Sequence, residues 1–463
     1  MVDIQGPIPG GRKGWPFAAS ILDVADYGYI EEEYFLSGEA NRFRLVSGTE
    51  LSPDGKWNAR AAGKSHYKTR VLVYRPADPA RFNGTVVMTW NNVTAGYDLF
   101  GSDSLEIFEG GFVLVGVTTQ KAGIEGLPPV RQGLADWDPD RYGSLHIASD
   151  DYSYDLFTNA GTAFGPERDR AQVDPMGGLE VKRLIAQGAS QSASRLGTYI
   201  NAIAPLGSPF DGYILTIYFG RGAPIEVGGE VININLPQES SSMAQRLRGV
   251  NRLRDDLARP IFVVNSELEA IACYDVRQED SDTFRYWEAA GTCHVSQQAR
   301  IARKKMSDRD QLVTRPLDEG INAIPMMPMY DAAFYHMHHW IAEGIAPPLM
   351  PRINFVGEPP EVVRDENGIA TGGVRLPQAD VPLAANSAIP RSADLFDVLM
   401  GSMEPFEPSV IEGMYPDRES FLGRFEAVAK RSVETGAILG RDLPKLLAEA
   451  AEAWDALVAS GAK

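Results

Sequence analysis

Short apolar runs recur along the first two thirds of the chain and are separated by amphipathic stretches. Several runs are rich in β-branched residues and are bounded by glycine, proline or asparagine, a pattern that predicts buried strands. Helical spacing occurs between them, in 150–164 and again in 191–203. This alternation is typical of an α/β fold with a mostly parallel central sheet flanked by helices. The seven predicted strands cover 67–76, 83–90, 110–120, 180–188, 210–219, 259–267 and 282–291.

The chain divides into a core that carries these strands and two segments that do not fit the alternation. Residues 220–258 are mostly polar and interrupt the strand series as an insertion. Residues 301–463 follow the last predicted strand as a long, mostly helical extension. We therefore expect a core formed by 1–219 and 259–300. The insertion and part of the extension are predicted to fold over it as a cap.

Three further local patterns predict elements outside the strand series. Residues 31–46 are predicted to be extended, with a turn at Ser37-Gly38. In the extension, 330–348 is predicted to be a helix that prolines end, and 441–459 a second helix with one apolar face.

Composition excludes several classes of protein. The 463-residue chain carries a formal net charge of −18 and is 44% hydrophobic, enough for a sizeable core. Nucleic acids and anionic membranes both attract basic surfaces, so neither is an expected partner. No run of about 18 apolar residues occurs, and the first residues lack the pattern of a secretion signal. We therefore expect a cytoplasmic protein with a small-molecule partner, and the sequence is compatible with a homo-oligomer.

Segment 184–200, LIAQGASQSASRLGTYI, joins a predicted strand to a predicted helix. Gly188 lies two residues before Ser190 and Ser192 two after, which matches a G-x-S-x-G nucleophile elbow with serine in place of the second glycine. In such an elbow the serine hydroxyl projects from a strained turn, and the helix N-terminus adds a positive field. A plain helix N-cap is the alternative interpretation. Ser190 is thus the candidate nucleophile.

Candidate partners of Ser190 occur in the order serine, acid, histidine, which is the order of a triad built on this elbow. Glu267 ends the sixth predicted strand and Glu269 follows it, and His294 follows the seventh. His294 is the candidate general base, and a structural histidine bonded to the backbone is the alternative.

Several phrases of the sequence resemble one family, in the same order along the chain. GASQSASRLGTYINAI is similar to the G-x-S-Q-S-x-x-R-L segment of the large bacterial α/β-hydrolase-domain proteins. The resemblance spans at least residues 6–294. It implies an α/β-hydrolase fold, a serine nucleophile and activity toward carboxylic esters, without a particular substrate. The other similar phrases are GPIPGG, EEEYFLSGEA, TRVLVYRPADPARFNGTVVMTWNNV, GVTTQKAGI, DPDRYGSL, DDYSYDLF, WEAAGTCH and HHWIAEGIAPP.

The acid loop departs from that family. Its members often have Thr-Glu-Thr-Asp where this chain has Ser266-Glu267-Leu268-Glu269. Position by position, Glu269 replaces the aspartate, so it is the first candidate for the triad acid, and Glu267 is the alternate. Because glutamate is one methylene longer, we expect this loop to lie slightly differently.

Two backbone amides are predicted to bind the oxyanion of a tetrahedral intermediate. One belongs to Gln191, the residue after the nucleophile. The other should lie in the loop after the second predicted strand, where the amides of Asn92 and Val93 are the candidates. An ordinary Asn-rich turn is the alternative interpretation of that loop.

The remaining reactive residues favour no metal or cofactor. His336 and His339, in the phrase HMHH, share a helix face, but no Glu-x-x-His pattern or cysteine pair accompanies them. Cys273 and Cys293 are the only cysteines. Two unpaired core thiols or a disulfide between the acid and histidine loops both remain open, and a reducing compartment favours the thiols.

The sequence therefore predicts a serine esterase. Lactonase, amidase and acyltransferase activities would use the same residues, and a non-catalytic binding protein with this fold is a further alternative. Phe334, Tyr335 and Trp340, in the predicted cap, are the candidates for an apolar pocket that would take a bulky hydrophobic or aromatic ester. The alternative interpretation is that this aromatic stripe belongs to the core.

Overall fold

One mixed sheet forms the centre of the molecule. The computed structural model describes residues 2–46, 51–100, 104–169, 173–226, 248–317, 319–392 and 394–461. Within those residues the sheet has nine strands in the order β1-β2-β3-β5-β4-β6-β7-β8-β9. Their bounds are β1 Asp3–Gln5, β2 Tyr29–Leu45, β3 Ala59–Pro76, β4 Thr85–Trp90, β5 Val113–Val117, β6 Arg183–Ala189, β7 Gly212–Thr216, β8 Ile261–Ser266 and β9 Phe284–Ala289.

Six neighbouring strands, from β5 to β9 across the sheet, pair in parallel, and β1 to β3 add an antiparallel edge. Strands β4, β5, β7, β8 and β9 are buried at every position. Burial on both faces explains why β4, β5, β7 and β8 are mostly apolar rather than alternating, whereas β9 also buries Arg285 and Glu288. The predicted mostly parallel sheet is confirmed, and all seven predicted strands are present.

The predicted turn at Ser37-Gly38 is wrong. Strand β2 continues through both residues, with Ser37 opposite Lys68 and Gly38 opposite Tyr67 on β3. The only register shift in this pair lies between Asn41 and Phe43. A long ladder of cross-strand hydrogen bonds therefore overrides the local turn preference of Ser-Gly.

Helices cover both faces of the sheet. The predicted helix at 150–164 is a 3₁₀ turn followed by α5, and the one at 191–203 is α6 followed by a π turn. The bounds are α1 Leu105–Glu109, α2 Lys121–Glu125, α3 Leu134–Trp137, α4 Pro139–Tyr142, α5 Ser153–Phe164, α6 Gln191–Thr198, α7 Glu267–Ala272, α8 Gln297–Arg309, α9 Met327–Glu343, α10 Pro377–Asp380, α11 Leu395–Met400, α12 Pro408–Met414, α13 Arg418–Glu434 and α14 Leu443–Gly461. Short strand pairs complete the extension: β10 Phe355–Val356 with β11 Glu361–Val362, and β12 Ala384–Ser387 with β13 Ser402–Pro405.

Helix α9, from the C-terminal extension, is a layer of the core. It corresponds to the helix predicted at 330–348, but it ends at Gly344, which adopts a left-handed conformation (φ 75°). Its buried side chains join one apolar cluster with sheet residues that include Ile214, Phe262 and Trp287. The extension therefore completes the hydrophobic core rather than only covering it.

Most of the predicted cap insertion, 227–247, lies outside the described residues. The described remainder, 220–226 and 248–258, lies beside α6 and α7. Gly222 donates its amide to Asn251 Oδ1, and the Gly249 amide donates to the Ala272 carbonyl. Among all described residues, no helix combines the length and apolarity needed to cross a membrane.

Candidate active site

Ser190 occupies a strained turn between β6 and α6. Its backbone has φ 60° and ψ −120°, a conformation that L-residues rarely adopt. Its amide donates to the Thr216 carbonyl of β7 at 3.1 Å. Gly188 is required because a Cβ there would lie 2.6 Å from the Ser192 carbonyl oxygen. These features place the Ser190 side chain at the carboxyl edge of the parallel strands.

Ser192, which stands where the elbow motif has a second glycine, stabilises the turn. Its hydroxyl accepts from the Ala189 amide and donates to the Ala189 carbonyl, both at 2.9 Å. The serine thus binds both backbone groups of the residue before Ser190. Its replacement of glycine is therefore compatible with the elbow geometry.

Ser190, His294 and Glu269 form one chain of hydrogen bonds. The Ser190 Oγ lies 2.8 Å from His294 Nε2, and His294 Nδ1 lies 2.7 Å from Glu269 Oε1. Because the carboxylate can only accept, Nδ1 carries the proton and Nε2 is left to accept from the serine hydroxyl. The three side chains come from the ends of three different parallel strands.

Glu269 is oriented by the start of α7. It lies at the third helical position, and its Oε2 accepts from the amide and the hydroxyl of Ser266 at 3.1 and 2.5 Å. The other oxygen faces His294. Ser-x-x-Glu is a sequence signature of a helix start in which the glutamate reaches back to the N-cap. This helix-start geometry accommodates the extra methylene of glutamate. Its sequence signature could have distinguished Glu269 from Glu267.

Glu267, the alternate acid, is bound elsewhere. It is fully buried, and its Oε1 accepts from Arg364 Nη2 at 2.6 Å while its Oε2 accepts from the Gly291 amide at 2.8 Å. Arg364 belongs to the C-terminal extension. Glu267 therefore connects the extension to the loop that carries His294.

Phe219 covers the imidazole of His294. The two ring centroids are 5.0 Å apart and the planes are inclined by 18°. Asn265 holds the preceding residue, since its side chain accepts from the Tyr218 amide at 2.7 Å and donates to the Tyr218 carbonyl at 2.9 Å. Ile217, next in the same loop, has φ 46°, an outlier for a β-branched residue. The strand predicted over 210–219 includes these residues, but β7 ends at Thr216, and the contact with His294 was not predicted from the sequence.

Asn92 and Val93, the two candidates for the second oxyanion donor, differ in the hydrogen bonding of their backbone amides. The Asn92 amide already donates to the Leu99 carbonyl at 3.1 Å, so it is not available to an oxyanion. No hydrogen bond from the Val93 amide is found within the described part of the chain. The Asn92 side chain instead donates to the Ala189 carbonyl at 3.0 Å, which ties this loop to the elbow.

Gln191 follows Ser190 as the first residue of α6, where a backbone amide has no partner within its helix. Its side chain donates to Gln120 Oε1 at 3.0 Å. Gln120 is buried and donates in turn to Asp150 Oδ2 at 3.0 Å. Gln120 was not singled out from the sequence, although it lies in the family-like phrase GVTTQKAGI.

The histidines of HMHH make separate contacts. His336 Nε2 lies 2.8 Å from the Gly436 carbonyl, His338 Nδ1 lies 2.8 Å from Thr85 Oγ1, and His339 Nδ1 lies 3.1 Å from Glu343 Oε1. In the described part of the chain, no group of three or more His, Cys, Asp or Glu side chains is arranged to hold a metal ion.

Cys273 and Cys293 are free thiols in the structure. Each donates to a backbone carbonyl: Cys273 to Tyr218 at 3.1 Å and Cys293 to Val295 at 3.2 Å. Burial raises the pKa of both thiols above the ordinary range, so neither has the character of a reactive thiolate.

Phe334, Tyr335 and Trp340, which are predicted to line a substrate pocket, lie on α9. Phe334 and Trp340 are buried in the core between α9 and the sheet, and the Trp340 ring lies under the Arg285 guanidinium of β9. Tyr335 is 37% exposed and packs on His339 of its own helix. Phe334 and Trp340 therefore belong to the hydrophobic core, and the bulky hydrophobic or aromatic ester stays a prediction.

Comparison with known proteins gives one family and several distant structures. The sequence profile of the family described as "Alpha/beta hydrolase domain" matches residues 4–448. None of the curated proteins compared with the chain matches it. Among solved structures, acetyl xylan esterase 1 from Thermoanaerobacterium sp. JW/SL YS485 shares 11% identity over 65% of this chain and 89% of its own (TM-score 0.31). The esterase Est22 shares 14% identity over 62% and 82% (TM-score 0.31).

Proposed function

Because the chain belongs to the alpha/beta hydrolase domain family, we propose that it is a serine hydrolase that cleaves carboxylic esters with Ser190, His294 and Glu269. The α/β-hydrolase fold expected from the sequence is confirmed by the family match and the sheet topology. The observation that carries the proposal is the continuous hydrogen-bond chain from Glu269 through His294 to a serine in a strained turn.

The geometry supports the following reaction. Ser190 Oγ attacks the ester carbonyl carbon while its proton passes to His294 Nε2. When the tetrahedral intermediate collapses, His294 gives that proton to the leaving alcohol and an acyl-enzyme remains. Water, deprotonated by His294, then releases the acid and restores Ser190. Glu269 keeps Nδ1 protonated and stabilises the imidazolium that forms in both steps.

Two backbone amides are proposed to bind the oxyanion, those of Gln191 and Val93. Each preorganised donor of this kind contributes roughly 3 kcal/mol to transition-state stabilisation. Asn92 is proposed as a positioning residue, because its side chain holds the Val93 loop against the Ala189 carbonyl. No step in this scheme requires a metal or a cofactor.

Labelling with a fluorophosphonate tests the nucleophile. Intact mass should show one adduct on the wild-type protein and none on Ser190→Ala. Ser194→Ala is the matched control, since it removes a hydroxyl from the same helix without touching His294, and it should label like the wild type. Absence of an adduct on a folded wild-type protein, or an adduct on Ser190→Ala, would overturn the assignment.

A further inference from the structure

Ile217 has a strained backbone at the carboxyl edge of the central sheet. It directly follows β7 and has φ 46°. A positive φ is a genuine outlier for a β-branched residue, whose side chain crowds the backbone in this conformation. Of the four non-glycine residues with positive φ in the described part of the chain, Ile217 is the β-branched one. Glycine or asparagine would adopt this conformation at lower cost.

A closed series of contacts places Ile217 between the candidate nucleophile and the candidate base. The carbonyl of the preceding residue, Thr216, accepts from the Ser190 amide at 3.1 Å. Two residues after Ile217, the ring centroid of Phe219 lies 5.0 Å from that of His294. His294 Nε2 in turn lies 2.8 Å from Ser190 Oγ. Ile217 therefore adjoins the place where an ester carbonyl would meet Ser190.

The Ile217 side chain is not part of the core. It is half-buried and belongs to none of the hydrophobic clusters that the described residues form. Its neighbours along the chain differ in this respect, since Leu215, Ile214 and Phe219 each lie in such a cluster. The Ile217 amide donates to the Val264 carbonyl at 2.9 Å, which holds the backbone in place. Core packing therefore does not explain why an isoleucine occupies this strained position.

Strained residues persist where the surrounding structure imposes them, and they are concentrated at active sites and ligand clamps. The hydrogen bonds of Thr216 and Ile217 explain the backbone conformation, but glycine would make the same bonds with less strain. The side chain itself therefore requires a role. Leu268, which is also half-buried, packs against the apolar cluster of Phe219. An isoleucine at 217 would extend this apolar surface toward Ser190.

We propose that Ile217 is a specificity-determining residue that contacts an aliphatic group of the ester and limits the size of that group. A single methylene at such an apolar contact changes kcat/KM by roughly tenfold or more. This inference rests on the proposed function and narrows its substrates to esters that present a short aliphatic group beside Ser190.

Kinetics of Ile217→Gly with methyl acetate, methyl octanoate and octyl acetate test the size limit. The ratio of kcat/KM for an octyl or octanoyl ester to that for methyl acetate should rise about tenfold or more over the wild-type ratio. Gln311→Gly is the matched control, because it also removes a side chain at a positive φ (59°), one that accepts from Lys13 at 2.8 Å. It should keep both wild-type ratios. Unchanged ratios in Ile217→Gly would overturn the inference.

Thermal unfolding separates a substrate contact from a packing role. Because glycine relieves the strain, the Tm of Ile217→Gly should be at or above that of the wild type. A lower Tm with wild-type ratios would make Ile217 a packing residue and overturn the inference. If Ile217→Gly does not fold, Ile217→Asn decides by the same comparison, since asparagine also tolerates a positive φ.

The outcome for the proposed function is distinguishable from the outcome for Ile217. A wild-type protein that labels at Ser190 and cleaves the three esters, with unchanged ratios in Ile217→Gly, would refute the size limit alone. A folded wild-type protein that neither labels nor cleaves them would refute the proposed function and the size limit together.

Discussion

The ring of Phe219 stacks nearly parallel on the imidazole of His294. This contact restricts rotation of the histidine ring out of its present plane. A proton transfer from Ser190 needs Nε2 directed at the hydroxyl, and a freely rotating ring would lose that geometry for part of the time. The Tyr218 backbone, held at both ends by Asn265, in turn fixes Phe219. Asn265 and Phe219 thus support the histidine as positioning residues.

Phe219→Leu should lower kcat by about tenfold while KM changes less, because the imidazole loses its stacking partner but the substrate contacts remain. Phe396→Leu is the control. It removes a ring from the same apolar cluster, and that ring contacts Arg300 and Arg315 instead of His294. Steady-state kinetics of both variants check the prediction, and an equal fall in kcat would attribute the effect to general loosening of the cluster.

Substitution of Glu269 should lower activity, whereas substitution of Glu267 should lower stability. Glu269→Gln should lower kcat by about a thousandfold or more, because the amide no longer enforces the productive tautomer of His294. Glu267→Gln removes the charge that pairs with Arg364 and should lower the free energy of unfolding by about 3 kcal/mol, with kcat within tenfold of wild type. Kinetics and urea unfolding of both variants would show the pattern, and the reverse pattern would exchange their roles.

Asn92 should affect the rate of the chemical step more than substrate binding. Asn92→Ala removes the contact to the Ala189 carbonyl and the acceptor for the Thr94 amide and hydroxyl. The Val93 amide then loses its fixed position, so we expect kcat to fall about a hundredfold with little change in KM. A rise in KM at constant kcat would show that this loop only contacts the substrate.

Substitutions at Phe334 and Trp340 should lower the stability of the protein and leave its selectivity among esters unchanged. Phe334→Ala should lower the free energy of unfolding by about 3–5 kcal/mol, because it opens a cavity between α9 and the sheet. Below the melting temperature, the relative rates for small and large esters should stay as in the wild type. Tyr335→Ala, on the exposed side of the same helix, is the control and should be nearly neutral. A change in the preference for ester size would restore these residues to the substrate pocket.

A buried carboxyl should make the stability of the protein fall with rising pH. Burial raises the pKa of Glu106 to about 8, and Arg441 at 3.0 Å opposes the shift only in part. The folded protein therefore binds a proton that the unfolded chain has lost above about pH 4.3. Between that value and pH 8, the free energy of unfolding should decrease by up to about 1.4 kcal/mol per pH unit from this group.

Glu106→Gln keeps the shape of the side chain and removes its ionisation, so the variant should gain stability over the wild type as pH rises. Glu109→Gln is the matched control, because Glu109 is more exposed and lies near the same arginine at 3.4 Å. Urea unfolding from about pH 5 to about pH 8.5 provides the measurement. Parallel pH dependences of wild type and Glu106→Gln would contradict the role of this carboxyl.

The central sheet could be predicted from the sequence because its strands are short, wholly buried and apolar, as in β4 and β8. That pattern depends only on the residues themselves. The continuity of β2 through Ser37-Gly38 could not be predicted in this way, because it depends on pairing with β3 more than 20 residues away along the chain.

The candidate site could likewise be predicted from the sequence only in part. Ser190, Glu269 and His294 each follow a predicted strand, so the local pattern was enough to identify them as candidates. In the structure they lie within hydrogen-bonding distance of one another in the order Ser190, His294, Glu269. Phe219 and Asn265 carry no local signal, since their relevance arises from neighbours distant in sequence. The core position of Phe334 and Trp340 could not be distinguished from a pocket position in the sequence, because a buried helix face and a pocket lining have the same apolar spacing.

The position of α9 has a consequence for engineering this protein. One face of the sheet, including Ile214, Phe262 and Trp287, is covered by a helix that the chain supplies only after residue 326. A shortened protein ending near residue 300 would retain all nine strands and the three residues of the candidate triad. It would nevertheless expose a continuous apolar surface and should aggregate. The smallest portion able to fold as a monomer therefore extends through α9. A chimaera that joins residues 1–300 to a different C-terminal segment should not fold.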